Sequence, residues 1–219
     1  MKRRPGQAPH ARAPRPAGQV RIIGGHWRGT RLSVLDRPGL RPSSDRGRET
    51  LFNWLQPMLP GARVLDLFAG SGALGLEALS RGAAEAVLVE RDPGQAAQLA
   101  AAIGRLDRDG RAQLVVGDAL HWLQGAADRR FDLVFIDPPF EGDHWASVLQ
   151  RLPPWLSDDA WLYLESPTPA PVHPGTDWLP HRTMSTRHAH GALYRRAAGM
   201  AAATLPGVAN PSTGPQPHE

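Results

Sequence analysis

From residue 62 onwards the chain alternates short apolar runs with amphipathic segments, and no other feature of the sequence limits the possible folds so strongly. Strands are predicted at Val64–Phe68, Ala86–Val89, Gln113–Val116, Phe131–Ile136 and Trp161–Leu164, with later ones near Thr183–Thr186 and Ala192–Tyr194. Helical patterns separate most of these runs. Repeated strand–helix units form a mainly parallel sheet, here of seven strands, with helices on both faces. Ligands of such sheets bind beyond the carboxyl ends of the strands.

Two helices have recognisable first turns. One is predicted for residues 44–59, capped by Ser44, with five apolar residues on one face: Leu51, Phe52, Leu55, Met58 and Leu59. In the other, Asp92 precedes Pro93, which suits the first position of a helix. Asp92 is expected to cap that helix, and Gln95 to complete a reciprocal capping pair.

Composition divides the chain into four segments. Residues 1–19 form a basic tail and residues 197–219 a second tail, and both are rich in Pro, Gly and Ala, which predicts disorder. Residues 20–60 hold a glycine-interrupted β-hairpin, expected within 20–43, and the first helix. Residues 61–196 form the α/β domain.

Positive charge is concentrated at the amino-terminal end. Residues 1–48 carry twelve Lys and Arg against two acids, a net charge of +10, whereas residues 49–219 have a net charge of −6. Such segregation favours a polyanionic partner. The chain has no cysteine and its histidines lack metal-ligand spacing, so no metal is expected. No apolar run is long enough to span a membrane, and we expect a cytoplasmic monomer.

A glycine-rich turn follows the first strand of the α/β domain. Its glycines match the G-x-G-x-x-G fingerprint of nucleotide cofactors. Asp66 precedes them, and a carboxylate there suits the ammonium of S-adenosylmethionine better than the pyrophosphate of a nicotinamide cofactor. Glu90 ends the second strand and can accept hydrogen bonds from both ribose hydroxyls, while Asp118 is placed to bind the adenine amino group. The predicted cofactor-binding residues are Asp66, Phe68, Ala69, Gly70, Ser71, Gly72, Glu90, Asp118 and Ala119.

The tetrapeptide Asp137-Pro138-Pro139-Phe140 ends the fourth strand and indicates a reaction. An exocyclic amine of a base is a poor nucleophile, because its lone pair is delocalised into the ring. The Asp137 carboxylate and the Pro138 carbonyl can accept its two N–H groups and favour a pyramidal nitrogen. The two prolines fix the backbone, and Phe140 offers a face on which an accessible base can stack. These four residues are the predicted catalytic set.

At this point the sequence resembles the bacterial 16S rRNA guanine-N2 methyltransferases, over about residues 21–196. The resemblance is carried by Arg21–Gly29, Leu40–Arg46, Arg48–Leu55, Asp66–Ala78 and Asp137–Phe140. It implies a Rossmann-like fold, S-adenosylmethionine as the methyl donor, S-adenosylhomocysteine as the product and guanine 966 of the small ribosomal subunit, or of its assembly intermediate, as the target. Phe140 departs from the commoner tyrosine at its position.

The resemblance also gives the basic segments a role in binding RNA. Arginines of these segments are candidate phosphate contacts and Trp27 is a candidate stacking residue. The set comprises Trp27, Arg28, Arg31, Arg41, Arg46 and Arg48. Arg46 and Arg48 could instead border the active site.

Three alternatives are compatible with parts of the sequence. A nicotinamide-dependent oxidoreductase fits the glycines and the later acid, but leaves Asp137–Phe140 unexplained. A non-catalytic RNA-binding or assembly factor would not need intact Asp66, Glu90 and Asp137. Adenine-N6 methylation of DNA or RNA uses the same tetrapeptide chemistry, and only the family resemblance favours guanine.

Overall fold

The chain folds into an α/β sheet domain with an amino-terminal β-hairpin. The structure is a computed structural model that describes residues 16–35, 45–142 and 144–197. The strands are β1 (Pro16–Arg21), β2 (Arg31–Leu35), β3 (Arg63–Asp66), β4 (Glu85–Glu90), β5 (Ala112–Val116), β6 (Phe131–Ile136), β7 (Leu156–Pro167), β8 (Trp178–Ser185) and β9 (Ala189–Arg196). The helices are α1 (Asp45–Leu55), α2 (Ala73–Ser80), α3 (Pro93–Leu106), α4 (Ala119–Leu123) and α5 (Trp145–Arg151), with 3₁₀ turns at Gln56–Met58 and Pro153–Trp155.

Seven strands form one sheet in the order β5-β4-β3-β6-β7-β9-β8. The five neighbouring strands β5, β4, β3, β6 and β7 are parallel to one another. Strand β9 is antiparallel to both of its neighbours, β7 and β8. The mainly parallel seven-stranded fold predicted from the sequence is therefore confirmed. Chain connectivity reverses direction between β3 and β6, and a crevice for a ligand forms at the carboxyl edge of such a reversal.

Helices cover both faces of the sheet. On the first face, α1, α2 and α3 pack through residues such as Phe52, Leu76 and Leu99, and on the second face α4 and α5 pack through Leu123 and Val148. Successive residues of a strand point to opposite faces. A central strand such as β6, which is buried on both faces, therefore needs a continuous apolar run instead of an alternating one.

The hairpin expected near the amino terminus is present. β1 and β2 pair antiparallel, with Val20 opposite Leu32. β1 begins at Pro16, inside the segment assigned to the basic tail, so the hairpin starts earlier than expected. The remainder of both tails, and Ser44, lie outside the described residues.

The hairpin is attached to α2 by hydrogen bonds to two buried polar side chains. Glu77 accepts hydrogen bonds from the backbone N–H groups of Ile23 and Gly24, at 2.6 and 2.7 Å. Ser80 accepts from the N–H of Trp27 through its hydroxyl, at 2.9 Å, and donates to the Gly24 carbonyl. Backbone groups of the connecting turn are thus satisfied by one helix, which fixes the position of the hairpin on the domain.

The capping pair predicted for α3 is only half correct. Asp92 caps the helix by accepting a hydrogen bond from the N–H of Gln95, at 2.8 Å. The Gln95 side chain does not return the bond. It is buried against the hairpin, where it accepts from the N–H of Leu35 and donates to the carbonyl of Ser33. The Gln95 side chain, which the local pattern assigned to the helix cap, therefore bonds to the hairpin instead.

The other differences between the predicted and the observed elements concern the lengths of two strands and one additional helix. β7 is twelve residues long and extends well beyond the predicted Trp161–Leu164. β8 begins at Trp178, before the predicted Thr183, and the short helix α4 was not predicted. Within the described residues, every helix is too short or too polar to cross a lipid bilayer.

Candidate active site

Most of the predicted cofactor and catalytic residues meet at the carboxyl edge of the sheet. Asp66 ends β3, Glu90 ends β4, Asp118 follows β5 and Asp137 follows β6. Because these four strands are parallel, their carboxyl ends lie at the same edge. The sequence-based prediction that these acids share one region of the molecule follows from that topology.

The glycine-rich turn is held in a defined shape. Gly70 and Gly72 have φ values of 53° and 79°, a backbone conformation that favours glycine. A Cβ on Gly72 would also lie 2.5 Å from the Leu99 side chain, so any larger residue would require Leu99 to move. The Ala69 N–H donates to the Val89 carbonyl at 2.9 Å, which ties the turn to β4.

Glu90 anchors this turn as well as ending β4. One carboxylate oxygen accepts a hydrogen bond from the Gly70 N–H, and the other accepts from the Asp92 N–H, both at 2.7 Å. The sequence did not indicate this anchoring role. A carboxylate can accept about four hydrogen bonds, so two backbone bonds leave capacity for ligand hydroxyls while fixing the orientation of the group.

Asp66 is a buried acid behind the turn. Its side chain is 2% exposed, and one oxygen accepts a hydrogen bond from the Gly75 N–H at 3.0 Å. Burial raises the pKa of Asp66 to about 7; the hydrogen bond from Gly75 opposes this rise, and the negative charge of Glu90 adds to it. A cation bound beside Asp66 would stabilise its charged form.

Asp118 and Ala119 begin α4. The Asp118 carboxylate caps that helix by accepting hydrogen bonds from the N–H groups of Leu120 and His121, at 2.9 and 3.1 Å. Ala119 is buried in the core of the second face. The N-cap fixes the Asp118 side chain at the edge of the site, and its contact with adenine stays a prediction.

The Asp137–Phe140 segment leaves β6 towards solvent. Pro138 is buried, Asp137 is half-buried, and Phe140 is 38% exposed. The Phe140 ring lies 6.3 Å from the ring of Trp145, whose indole N–H donates to the Glu165 carbonyl at 2.9 Å. Trp145 thus supports this segment. The sequence pattern had placed Trp145 on a helix face and gave it no role at the site.

The two halves of the site are in contact. Phe68, from the glycine-rich turn, lies 6.0 Å from the ring of His144, which follows the tetrapeptide. Ser71 is half-buried on the same turn. The glycine-rich turn and the Asp137–Phe140 segment therefore form one continuous edge.

Comparison with known proteins identifies the family. A family model described as conserved hypothetical protein 95 matches residues 20–194. Ribosomal RNA small subunit methyltransferase D from Escherichia coli (strain K12) is 45% identical over 186 residues, which cover 83% of this chain and 92% of that protein. Its namesake from Haemophilus influenzae is 38% identical and is covered to 96%. The chain therefore belongs to the family of the ribosomal RNA small subunit methyltransferase D proteins.

The fold agrees with that of the methyltransferase D family. The solved structure of the Escherichia coli protein yhhF, assigned as a methyltransferase, superposes with a TM-score of 0.74 and 44% identity over 83% of this chain and 100% of that one. The family resemblance inferred from the sequence motifs is confirmed.

The residues predicted to bind RNA differ widely in exposure. Arg28, Arg31 and Arg46 are exposed, and their phosphate contacts stay predictions. Trp27 is half-buried against the core, with the Arg111 guanidinium 5.6 Å from its ring centroid, so part of its stacking surface is already covered. Arg41 lies outside the described residues.

Arg48 is a correction to the predicted RNA-binding set. Its side chain is 2% exposed. It donates to the Asp45 carboxylate at 2.7 Å and to the Arg21 carbonyl at 2.9 Å, and lies 4.0 Å from Glu77. A phosphate cannot reach it, so the prediction of an RNA contact is wrong. Arg48 instead links α1 to the hairpin and to α2.

A separate surface cleft lies elsewhere on the domain. It has a volume of about 590 Å³ and opens between α1, the start of β7 and the β8–β9 pair, where its lining includes Trp54, Trp161 and Arg195. It shares no residue with the predicted cofactor or catalytic sets. The candidate site is an open edge of the sheet, which is the usual place for a ligand of this topology, and we assign function to it on that ground.

Proposed function

We propose that this chain transfers a methyl group from S-adenosylmethionine to the exocyclic N2 of guanine 966 in the 16S rRNA of the small ribosomal subunit or its assembly intermediate. The observation that carries the proposal is the placement of Asp137–Phe140 beside the glycine-rich turn, in a chain that is 45% identical to a ribosomal RNA small subunit methyltransferase. Either half of the site alone would fit other enzymes.

The residues at the edge fit S-adenosylmethionine. Glu90 would hold the ribose hydroxyls, since two backbone N–H groups fix its carboxylate. Asp66 would face the ammonium group, because a buried carboxyl whose pKa is raised to about 7 gains from a nearby cation. Asp118 would receive the adenine amino group. When bound, S-adenosylmethionine supplies an electrophilic methyl on a sulfonium sulfur that keeps the bonding electron pair.

The catalytic segment would activate and orient the amine. The Asp137 carboxylate and the Pro138 carbonyl accept the two N–H groups of the guanine amine, so its lone pair is directed away from the ring. The Phe140 face stacks on the base, and Trp145 behind it limits how far the ring can turn. The nitrogen gains the methyl group and loses one proton to solvent. Orientation of the reactants is the main contribution to the rate.

The test measures the product of the wild-type enzyme. Purified protein is incubated with labelled S-adenosylmethionine and small subunits from cells lacking the enzyme, and the RNA is digested to nucleosides. We expect label in N2-methylguanosine at one site. Label in N6-methyladenosine would reject guanine but keep the amine chemistry, and label on ribose or protein would reject both.

The Asp137→Ala variant tests the mechanism. Loss of a hydrogen bond to a charged group should remove about 2 kcal/mol or more of transition-state stabilisation, a decrease in kcat/KM of roughly 30-fold or more. Affinity for S-adenosylhomocysteine should change by no more than a few-fold. The Asp158→Asn variant changes an exposed acid that pairs with Arg130 far from the site, and is the matched control. Near-normal turnover by Asp137→Ala would contradict the mechanism.

A further inference from the structure

A second carboxylate, Glu165, lies next to Asp137 at the carboxyl edge of the sheet. β6 and β7 pair in parallel, with Phe135 opposite Tyr163 and Ile136 opposite Leu164. Asp137 directly follows β6 and Glu165 follows Leu164 within β7, so the two residues occupy corresponding positions. Phe135 and Tyr163 pack in the first-face core with ring centroids 6.3 Å apart, and side chains two residues on project to that same face.

Glu165 is fixed by a hydroxyl from within the core. Tyr163, 3% exposed, donates a hydrogen bond to the Glu165 carboxylate at 2.9 Å. Burial raises the pKa of Tyr163 well above its usual value, and the charges of Glu165 and Asp137 add to the rise. The hydroxyl therefore stays protonated and acts as a donor. Both carboxylates lie close enough to Tyr163 to influence it.

Neighbouring elements fix the same residue from other sides. The Glu165 carbonyl accepts the indole N–H of Trp145, the residue that supports Phe140. On β9, Gly191 lies opposite Glu165, and a Cβ there would lie 2.5 Å from the Tyr163 hydroxyl. Glycine at this position makes room for the hydroxyl that orients Glu165. A carboxylate held this firmly beside a reaction centre is preorganised for a ligand.

Guanine and adenine differ in the group beside their amine, and a carboxylate at the position of Glu165 can distinguish the two bases. The Asp137 carboxylate and the Pro138 carbonyl accept amine protons, and guanine and adenine both present an amine. On the Watson–Crick edge, guanine places an N1–H donor beside its N2 amine, whereas adenine places an N1 acceptor beside its N6 amine. A second carboxylate accepts a hydrogen bond from N1–H and repels an N1 lone pair.

We propose that Glu165 is the specificity-determining residue that accepts the guanine N1–H, held in place by Tyr163 as a positioning residue. This proposal rests on the proposed function, since it names what makes the amine methyltransferase select guanine. A site built to bond a substrate N–H rejects an analogue that lacks it, because the acceptor aimed at that N–H would then face a lone pair.

The experiment uses small subunits reconstituted with 16S rRNA that carries either guanosine or 2-aminopurine riboside at the target. 2-Aminopurine keeps the 2-amino group but has an acceptor at N1. We expect wild-type kcat/KM to favour guanosine by about 100-fold or more, within the range for loss of a bonded N–H. In Glu165→Gln the preference should fall below about tenfold, because the carboxamide can donate to the N1 of the analogue.

Two further variants complete the design. Tyr163→Phe should lower the preference for guanosine partially, whereas a merely structural role would leave the ratio unchanged and reduce only folded protein. Asp158→Asn should keep the wild-type ratio. An unchanged ratio in Glu165→Gln, or a wild-type enzyme that methylates the two substrates equally, would overturn the proposal. Failure of the proposed function would be separate, because the wild type would then place no methyl on N2 of guanosine.

Discussion

At the scale of single residues, the ionisation of Asp66 links the site to pH. The pKa of this buried carboxyl is raised from 3.8 to about 7. Between those values the folded chain binds a proton that the unfolded chain has lost, so this group stabilises the fold most at low pH. That stability is lost as the pH rises through about 7. Above that pH the charged carboxylate is buried, and a cationic ligand would offset the cost.

We therefore expect binding of S-adenosylhomocysteine to tighten as the pH rises from 5.5 to 7.5. Below the pKa of about 7, one proton must leave Asp66 as the ammonium binds, which gives a change of up to about tenfold in Kd per pH unit. Isothermal titration in buffers of different ionisation enthalpy measures both the Kd and the released proton. Asp66→Asn should bind more weakly with no such slope. Equal slopes in the two proteins would show that Asp66 does not contact the ammonium.

At the scale of elements, α2 connects the hairpin to the site. Seven of its eight residues are buried, and its first turn carries the Gly75 N–H that bonds to Asp66. Its last turn carries Glu77 and Ser80, which bind the turn between β1 and β2. A change that loosens the hairpin should therefore also disturb α2, the helix that follows the glycine-rich turn and bonds to Asp66.

Two glycines of this turn provide a matched pair of variants. Gly25 and Gly29 both have positive φ, 73° and 84°, but a Cβ on Gly25 would lie 1.8 Å from the Ser80 carbonyl oxygen, while a Cβ on Gly29 meets nothing within 4 Å. Gly29→Ala should cost only the backbone strain of about 1–2 kcal/mol. Gly25→Ala should cost more, because the turn must leave α2. Urea unfolding measures both, and equal losses would show that the contact with Ser80 does not hold the hairpin.

At the scale of the whole molecule, charge is distributed unevenly around one sheet. The exposed arginines Arg28 and Arg31 lie on the hairpin segment, and Arg46 is in the first turn of α1. Attachment of the hairpin to α2 fixes that positive surface relative to the carboxyl edge. RNA bound by these arginines would be placed by a rigid contact, without a flexible linker.

Replacement of Arg28, Arg31 and Arg46 by glutamine should weaken RNA binding in a salt-dependent way. Each lost phosphate contact removes about 0.7 to 0.9 from the slope of log K against log salt, so the triple variant should flatten it by about 2 to 3. The control replaces Arg108, Arg129 and Arg130, which precede β5 and β6 at the opposite edge. Affinity for S-adenosylhomocysteine should be unaffected in both. Identical salt slopes would remove these arginines from the interface.

Local pattern was enough to predict the parts of the molecule that depend on near neighbours in the chain. The bounds of β6, the Asp92 cap of α3 and the turn after β3 match their predictions, because periodicity, capping and glycine conformation act over a few residues. The parallel topology then places Asp66, Glu90 and Asp137 at one edge. Motifs at strand ends were therefore sufficient to locate the candidate site.

Contacts between residues distant in the chain decided the environments of Arg48 and Glu165, which the local pattern did not predict. Arg48 is charged and near a basic segment, yet it is buried by Arg21, Asp45 and Glu77, which the sequence pattern does not bring together. Glu165 was part of an unremarked strand end until the pairing of β7 with β6 set it beside Asp137. In both cases the deciding contacts come from residues distant in the chain, Arg21 and Glu77 for Arg48 and Asp137 for Glu165. These surroundings, not the residue type, fix what a charged group can do.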